Sequence, residues 1–336
     1  MMTVETAKTI VAESGLKLLE SKLVARTWGN VSCRTGDKTF VITPSGLSYE
    51  QMTAADIVVY DAESGNWEGS RKPSSEKGVH AAAYAQFPDA GFVIHTHQMY
   101  ASAIGLAGFD RLKLTDEEEA ALGGIALSKY GLPGSKKLMK NVKASLATGA
   151  HAILMAQHGA LIVGKDEKEA FERAMKLEEV CKAACHGQPS TSGQPTQVSE
   201  GSALKAIVDS LAPSFQYLAY TSHPATIRTS QASAVIEAQL DDMAQMIGPK
   251  LYAVPASAEA VGKALETQDA VLVKNLGAVC KAVDKADGDA LTLLTEKACV
   301  AYLHTHALGD FVNLSWLDAN LMRFVYLKKY SKKSGG

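Results

Sequence analysis

Apolar positions recur at helical spacing between residues 3 and 20, with Ile10, Leu16, Leu18 and Leu19 among them, and predict an amphipathic helix. The stretch WGNVSCRTGDKTFVITPSG (28–46) reads as two short strands joined by a Thr-Gly-Asp turn and closed by a Pro-Ser-Gly turn. DIVVYD (56–61) is a further strand. Serines at the start and a proline at the close frame a helix from about Ser75 to Phe87 within KPSSEKGVHAAAYAQFP (72–88). FVIHTH follows as a strand bound for a core, yet it carries two histidines. Residues 135 to 148 read as a helix, AHAILMAQHGALIVG (150–164) as strand, turn and strand, and 166 to 184 as another helix. The pattern then lapses. HGQPSTSGQPTQVSEGS (186–202) holds no large apolar residue except Val198 and has the composition of a linker.

Beyond the linker the chain partly repeats itself. AILMAQHGALIVGKDEKEAFERAMKLEEVC (152–181) aligns without a gap on AVLVKNLGAVCKAVDKADGDALTLLTEKAC (270–299). Ala152, Leu154, Gly159, Ala160, Asp166, Glu178 and Cys181 meet Ala270, Leu272, Gly277, Ala278, Asp284, Glu296 and Cys299. Leu276 stands where the first copy has His158. Upstream, TIRTS (226–230) laid over VIHTH places Arg228 and Ser230 opposite His95 and His97. On this reading the second copy keeps a scaffold and lacks the imidazoles.

Composition adds bounds. With 336 residues, 46% hydrophobic and 21% charged, the chain has material for two domains or one large one. A formal net charge of −2 gives no reason to expect nucleic acid or an anionic membrane as partner. No apolar run reaches the length of a membrane span, and the N-terminus lacks a basic region followed by an apolar one. Five cysteines, at 33, 181, 185, 280 and 299, fit neither a disulfide framework nor a zinc knuckle, so a reducing cytoplasm is expected.

In a strand, residues i and i+2 share a face, so His95 and His97 can reach one ion while Thr96 points away. Zinc suits imidazole, and a catalytic zinc needs about three protein ligands. His158, at a strand end beside a glycine that allows a sharp turn, is the third candidate. The remaining histidines, at 80, 151, 186, 223, 304 and 306, are less informative; His304 and His306 fall in a helical pattern, where i and i+2 diverge, and read as exposed. Glu76 follows Ser74 and Ser75 at a helix start. There the free N–H groups serve equally as an ordinary capped terminus or as an anion site. TPSG (43–46) offers turn amides for a second anion cradle, and Gly29-Asn30 a third polar turn.

Taken in order, GNVS, TPSG, SSE, HTH and QHGA resemble the class II aldolase/adducin family over roughly residues 5 to 185. The resemblance implies an α/β, three-layer α/β/α domain around a mostly antiparallel sheet, here at residues 1–185. A linker (186–204) and a degenerate second domain (205–330), expected to be non-catalytic, complete the chain. It implies that His95, His97 and His158 bind one Zn2+, with Mn2+, Fe2+ or Co2+ fitting the same ligands. It makes Glu76 the catalytic carboxylate and gives Asn30, Ser45, Gly46, Ser74 and Ser75 to a substrate phosphate. Tyr130, in SKYGLPGS, resembles the family's tyrosine that protonates the product across a subunit boundary.

The activity so implied is reversible cleavage of a ketose 1-phosphate to dihydroxyacetone phosphate and a short aldehyde, through an ene-diolate. A pentulose-phosphate epimerase and a sugar-acid phosphate decarboxylase of the same family are alternatives. The epimerase has aspartate where Glu76 stands. A non-catalytic adducin-like binding protein is a third, and such relatives lack the histidines. A sugar phosphate and further copies of this chain are the implied partners, two chains mimicking the family's usual tetramer. Two departures stand out. The chain exceeds a one-domain aldolase by some 120 residues, although IRTS resembles a motif in longer relatives. The family's C-terminal aromatics near the substrate have no evident match among Tyr302, Tyr326 and Tyr330.

Overall fold

The computed structural model describes residues 2–186, 198–310 and 312–329, which form two compact units divided at Ala184 and Cys185. In the first, helix α1 (Val4–Glu20) precedes β1 (Asn30–Arg34), β2 (Thr39–Ile42), β3 (Val58–Asp61) and β4 (Trp67–Glu68). Then come α2 (Lys77–Gln86), β5 (Phe92–Thr96), α3 (Met99–Leu106), α4 (Asp116–Leu122), β6 (Ile125–Ser128), α5 (Lys136–Leu146), β7 (Ala152–Met155), β8 (Gly159–Gly164) and α6 (Glu167–Ala184). The eight strands form one sheet in the order β4-β3-β2-β1-β5-β8-β7-β6. Every neighbouring pair is antiparallel except β6 and β7.

Strand parity sorts the core into two layers. Val31, Cys33, Val41, Phe92, Ile94, Ala160 and Ile162 pack on one face with α1, α3 and α6. Phe40, Ile42, Val93, Leu161 and Val163 pack on the other with α2 and α5. Central strands buried on both faces read as near-continuous apolar runs, as β5 and β8 do. The result is the expected α/β/α sandwich. By the same parity Asn30, Ser32 and His95 belong to the α2 face, and this fixes where a polar site can form.

The second unit holds α7 (Val198–Leu211), β9 (Tyr217–Thr221), α8 (Pro224–Ala232), β10 (Val235–Glu237), β11 (Lys250–Val254), α9 (Ala258–Leu265), β12 (Ala270–Val273), β13 (Gly277–Ala282), α10 (Lys285–Leu308) and α11 (Trp316–Lys329). Its sheet runs β10-β11-β12-β13-β9. Remove β10, and this is the β6-β7-β8-β5 order of the first unit, with β11 and β12 as the parallel pair. The second unit is thus a partial repeat of the first unit's C-terminal half.

Register corrects one detail of the repeat. Thr96 pairs with Ala160, and Thr221 pairs with Ala278. Tyr220 and Ser222 therefore stand where His95 and His97 do, and TIRTS does not. TIRTS lies inside α8, whose entry is set by Pro224 at the first helical turn and by the His223 cap. Most of the expected linker, 186–204, falls on residues that are not described. Residues 187–197 lie outside the described residues, and α7 begins at Val198. Leu204, Ile207, Val208 and Leu211 give that helix an apolar stripe, packed with Val261 and Leu265. All five cysteines are buried thiols, none of them in a disulfide. No described helix is long and apolar enough to cross a membrane.

Candidate metal centre

The site forms at one end of β5. Asn30 of β1 is the register partner of His95, and Leu161 of β8 flanks it on the other side. His97 follows directly, its backbone N–H donating to the Leu23 carbonyl at 2.9 Å. His158 arrives on the β7–β8 hairpin. There Gln157, not the glycine, takes the left-handed conformation (φ 62°). Gly159 serves a different need: a Cβ there would lie 2.1 Å from the Thr96 carbonyl oxygen. Only a residue without a side chain lets the hairpin close on β5.

The three imidazoles converge. Ring centroids are 4.8 Å apart for His95 and His97, 4.8 Å for His95 and His158, and 4.9 Å for His97 and His158. One nitrogen from each lies within 4.8 Å of the others, and all three residues are buried. His95 Nδ1–H donates to the Ala160 carbonyl at 2.9 Å, which orients its ring and leaves Nε2 facing His97 Nε2 at 3.1 Å. Three imidazole nitrogens at this spacing form a set that can hold one divalent ion.

Glu76 sits at the N-cap of α2 and is also buried. Its Oε2 lies 3.1 Å from His95 Nε2 and its Oε1 3.0 Å from His158 Nε2. Burial pushes this carboxyl up, but the facing charges of His95, His158 and His97 outweigh it and hold the group well below the usual carboxylate range. Asn30 Nδ2 donates to Glu76 Oε2 at 3.2 Å.

The two turns expected to cradle an anion lie side by side. Ser45 N–H donates to the Lys72 carbonyl, Ser74 N–H donates to the Thr43 carbonyl, and Pro44 bridges Pro73. Ser45 and Ser75 are exposed, and Gly46 is half-buried with φ 73°. Ser74 is buried, and its Oγ accepts the Glu76 N–H at 3.2 Å, which fixes the turn that leads into the helix. Tyr130 is not placed at the cluster by strand order. It follows β6, three strands from β5, or about 14 Å at usual strand spacing. Its loop nevertheless reaches the anion turns, because a Cβ on Gly134 would meet the Ser75 side chain at 3.3 Å.

Sequence reasoning passed over His80. It is fully buried, one helical turn beyond Glu76, and hydrogen-bonds Asn30 Oδ1 through Nε2 and Ser32 Oγ through Nδ1 (2.6 Å). Ser32 also meets the Tyr84 hydroxyl at 2.8 Å. The signal was present as polar Asn30 and Ser32 alternating on a strand face that is otherwise apolar. In the second unit His304 is buried rather than exposed, its Nδ1 accepting from the His186 backbone N–H at 3.0 Å. Tyr302 is half-buried and stacks on His306, and Tyr326 is buried. Tyr330 lies outside the described residues.

Residues 9–185 match the sequence profile of the Class II Aldolase and Adducin N-terminal domain. Among solved structures, an L-fuculose 1-phosphate aldolase is 29% identical with a TM-score of 0.50, over 63% of this chain and 97% of that one. YgbL from Klebsiella pneumoniae is 24% identical with a TM-score of 0.50, over 55% and 90% of the two chains. YgbL from Escherichia coli is 21% identical with a TM-score of 0.51, over 58% and 96%. The last two likenesses concern the fold.

Proposed function

The chain belongs to the class II aldolase and adducin N-terminal domain family, and from that premise we propose that it is a zinc-dependent aldolase acting on a ketose 1-phosphate of the L-fuculose 1-phosphate kind. The products are dihydroxyacetone phosphate and a short aldehyde. One observation carries the reading: the two oxygens of a buried carboxylate each face a different member of a three-histidine cluster.

His95, His97 and His158 hold the cation, which when bound supplies Lewis-acid stabilisation of the charge that develops on the hydroxyketone fragment. Glu76 is the proton carrier. Its carboxylate, set between two of the ligand histidines, is placed in the condensation direction to take the proton from the carbon beside the carbonyl. A placed group of this kind contributes about 10²–10⁴-fold. Asn30, Ser45, Gly46, Ser74 and Ser75 receive the phosphate beside the start of α2, where the helix dipole favours an anion. Tyr130 of a neighbouring copy gives the proton to the new hydroxyl. The second unit, with Tyr220, Ser222 and Leu276 at the three histidine positions, has no catalytic part and takes the place of a neighbouring subunit, so that two chains assemble as a pseudo-tetramer in the cytoplasm.

Elemental analysis of the purified protein, with cleavage assays on a panel of ketose 1-phosphates with and without chelator, tests the reading. Dihydroxyacetone phosphate release that chelator abolishes supports it. Interconversion of pentulose 5-phosphates replaces it with epimerisation, and absence of both metal and turnover replaces it with a binding role.

A further inference from the structure

Four side chains behind Glu76 form a hydrogen-bonded line: Tyr84, Ser32, His80 and Asn30. The donor and acceptor capacities of these groups fix the direction of every bond. Asn30 Nδ2 donates to Glu76 Oε2, which leaves its Oδ1 turned towards His80. An amide oxygen cannot donate, so His80 carries its hydrogen on Nε2. His80 is fully buried, and burial followed by the nearby charge of His95 pushes it down to about 3, so the ring is neutral and Nδ1 is bare. Nδ1 therefore accepts from the Ser32 hydroxyl. Ser32 has one hydrogen and has spent it, so the Tyr84 hydroxyl donates to Ser32.

The opposite polarity fails at one end. Hydrogen on His80 Nδ1 would turn the Asn30 amide round and set its oxygen against the Glu76 carboxylate. In a buried, low-dielectric line such a mismatch is costly, whereas aligned bonds reinforce one another.

We propose that His80 is a positioning residue: it holds the Asn30 amide in one orientation and thereby holds the Glu76 carboxylate in register with His95 and His158. The proposal rests on the aldolase reading for its catalytic consequence but not for its geometry. It also changes the part played by Asn30. One Nδ2 hydrogen is committed to Glu76, and the second remains for a substrate anion, so Asn30 links the proton carrier to the phosphate turns.

Nitrogen NMR of the full chain labelled at histidine reads the tautomer directly. His80 is expected as the neutral form protonated at Nε2, with or without chelator. Protonation at Nδ1, or a cationic ring at neutral pH, overturns the proposal. His80→Gln and His80→Leu supply the functional half. Glutamine can still donate an N–H to Asn30, and leucine cannot. Removing partners behind a metal site typically costs about 10–100-fold. His80→Leu is therefore expected to lower kcat by about that factor and to weaken Co2+ binding measured with the metal alone. His80→Gln should recover most of both. Equal losses in the two variants would assign His80 to packing and end the proposal. If the parent enzyme turns over no ketose phosphate, the aldolase reading fails, while the tautomer and the Co2+ affinities still decide this one.

Discussion

Gln157 and Asn275 hold the same left-handed backbone conformation, with φ of 62° and 65°, at corresponding turns of two hairpins in one chain. The next residue is His158 in the first hairpin and Leu276 in the second, and then comes a glycine whose Cβ would strike a carbonyl oxygen in each: Thr96 at 2.1 Å and Thr221 at 2.0 Å. The turn has been kept and its imidazole has not.

If the scaffold alone places the ligands, histidines at Tyr220, Ser222 and Leu276 should rebuild the set. The triple variant Tyr220→His, Ser222→His, Leu276→His is expected to bind an additional equivalent of Co2+ or Zn2+ per chain, counted by titration and elemental analysis. Unchanged stoichiometry in a folded variant would refute the correspondence.

Gly159→Ala tests the closure of the first hairpin. Overpacking of this kind costs typically about 1–3 kcal/mol, and here the obstacle is backbone, which cannot rotate aside. Both thermal stability and metal affinity should fall, because His95 and His158 flank the clash. Gly277→Ala should lower stability while leaving metal affinity unchanged. Equal metal affinity in the two variants would be the wrong result.

Lys297 and Asp242 form a buried ion pair at 2.6 Å, with exposures of 2% and 1%. Asp242 also accepts the Met243 backbone N–H at 2.8 Å, at the start of a π-helical turn. Lys297→Met removes the ammonium that faces this buried carboxylate and is expected to cost about 3–5 kcal/mol in denaturant unfolding. Adding Asp242→Asn should restore much of that loss.

His80 makes the metal-free protein acid-sensitive. In the unfolded chain a histidine titrates near 6.5, whereas in the fold burial and then His95 push it down to about 3. Below about pH 6.5 the unfolded chain binds a proton that the folded one refuses. The His80 contribution is thus complete above that pH and is lost towards pH 3, by at most about 1.4 kcal/mol per pH unit. His80→Gln should flatten the stability profile between about pH 4 and 7 in chelator, read from urea midpoints. A profile as steep as the parent's would remove the assignment.

Much of this was legible before any coordinates. Strand parity alone put His95 and His97 on one face, and a serine-marked helix start put Glu76 where an anion can sit. What escaped had no local signature. MYASAIGL is apolar all round and offers no period, so α3 went unread. TIRTS resembled a strand motif in its letters, but Pro224 starts a helix just before it. His304 sat in a helical pattern whose two sides could not be told apart until α10 was packed. His80 lacked any short motif of its own. Its meaning appears only when β1 and α2 are brought together, and that is a matter of tertiary pairing.

Two glycines grip β5 from opposite sides. Gly29 lies so near the His95 carbonyl that a Cβ would sit 2.5 Å from it, and Gly159 does the same at Thr96. The spacing of the metal ligands is thereby gauged by main chain against main chain, with no rotamer to slacken it. Such a jig is rigid by omission: it works because two atoms are missing. Mutational drift can therefore loosen it only by adding bulk.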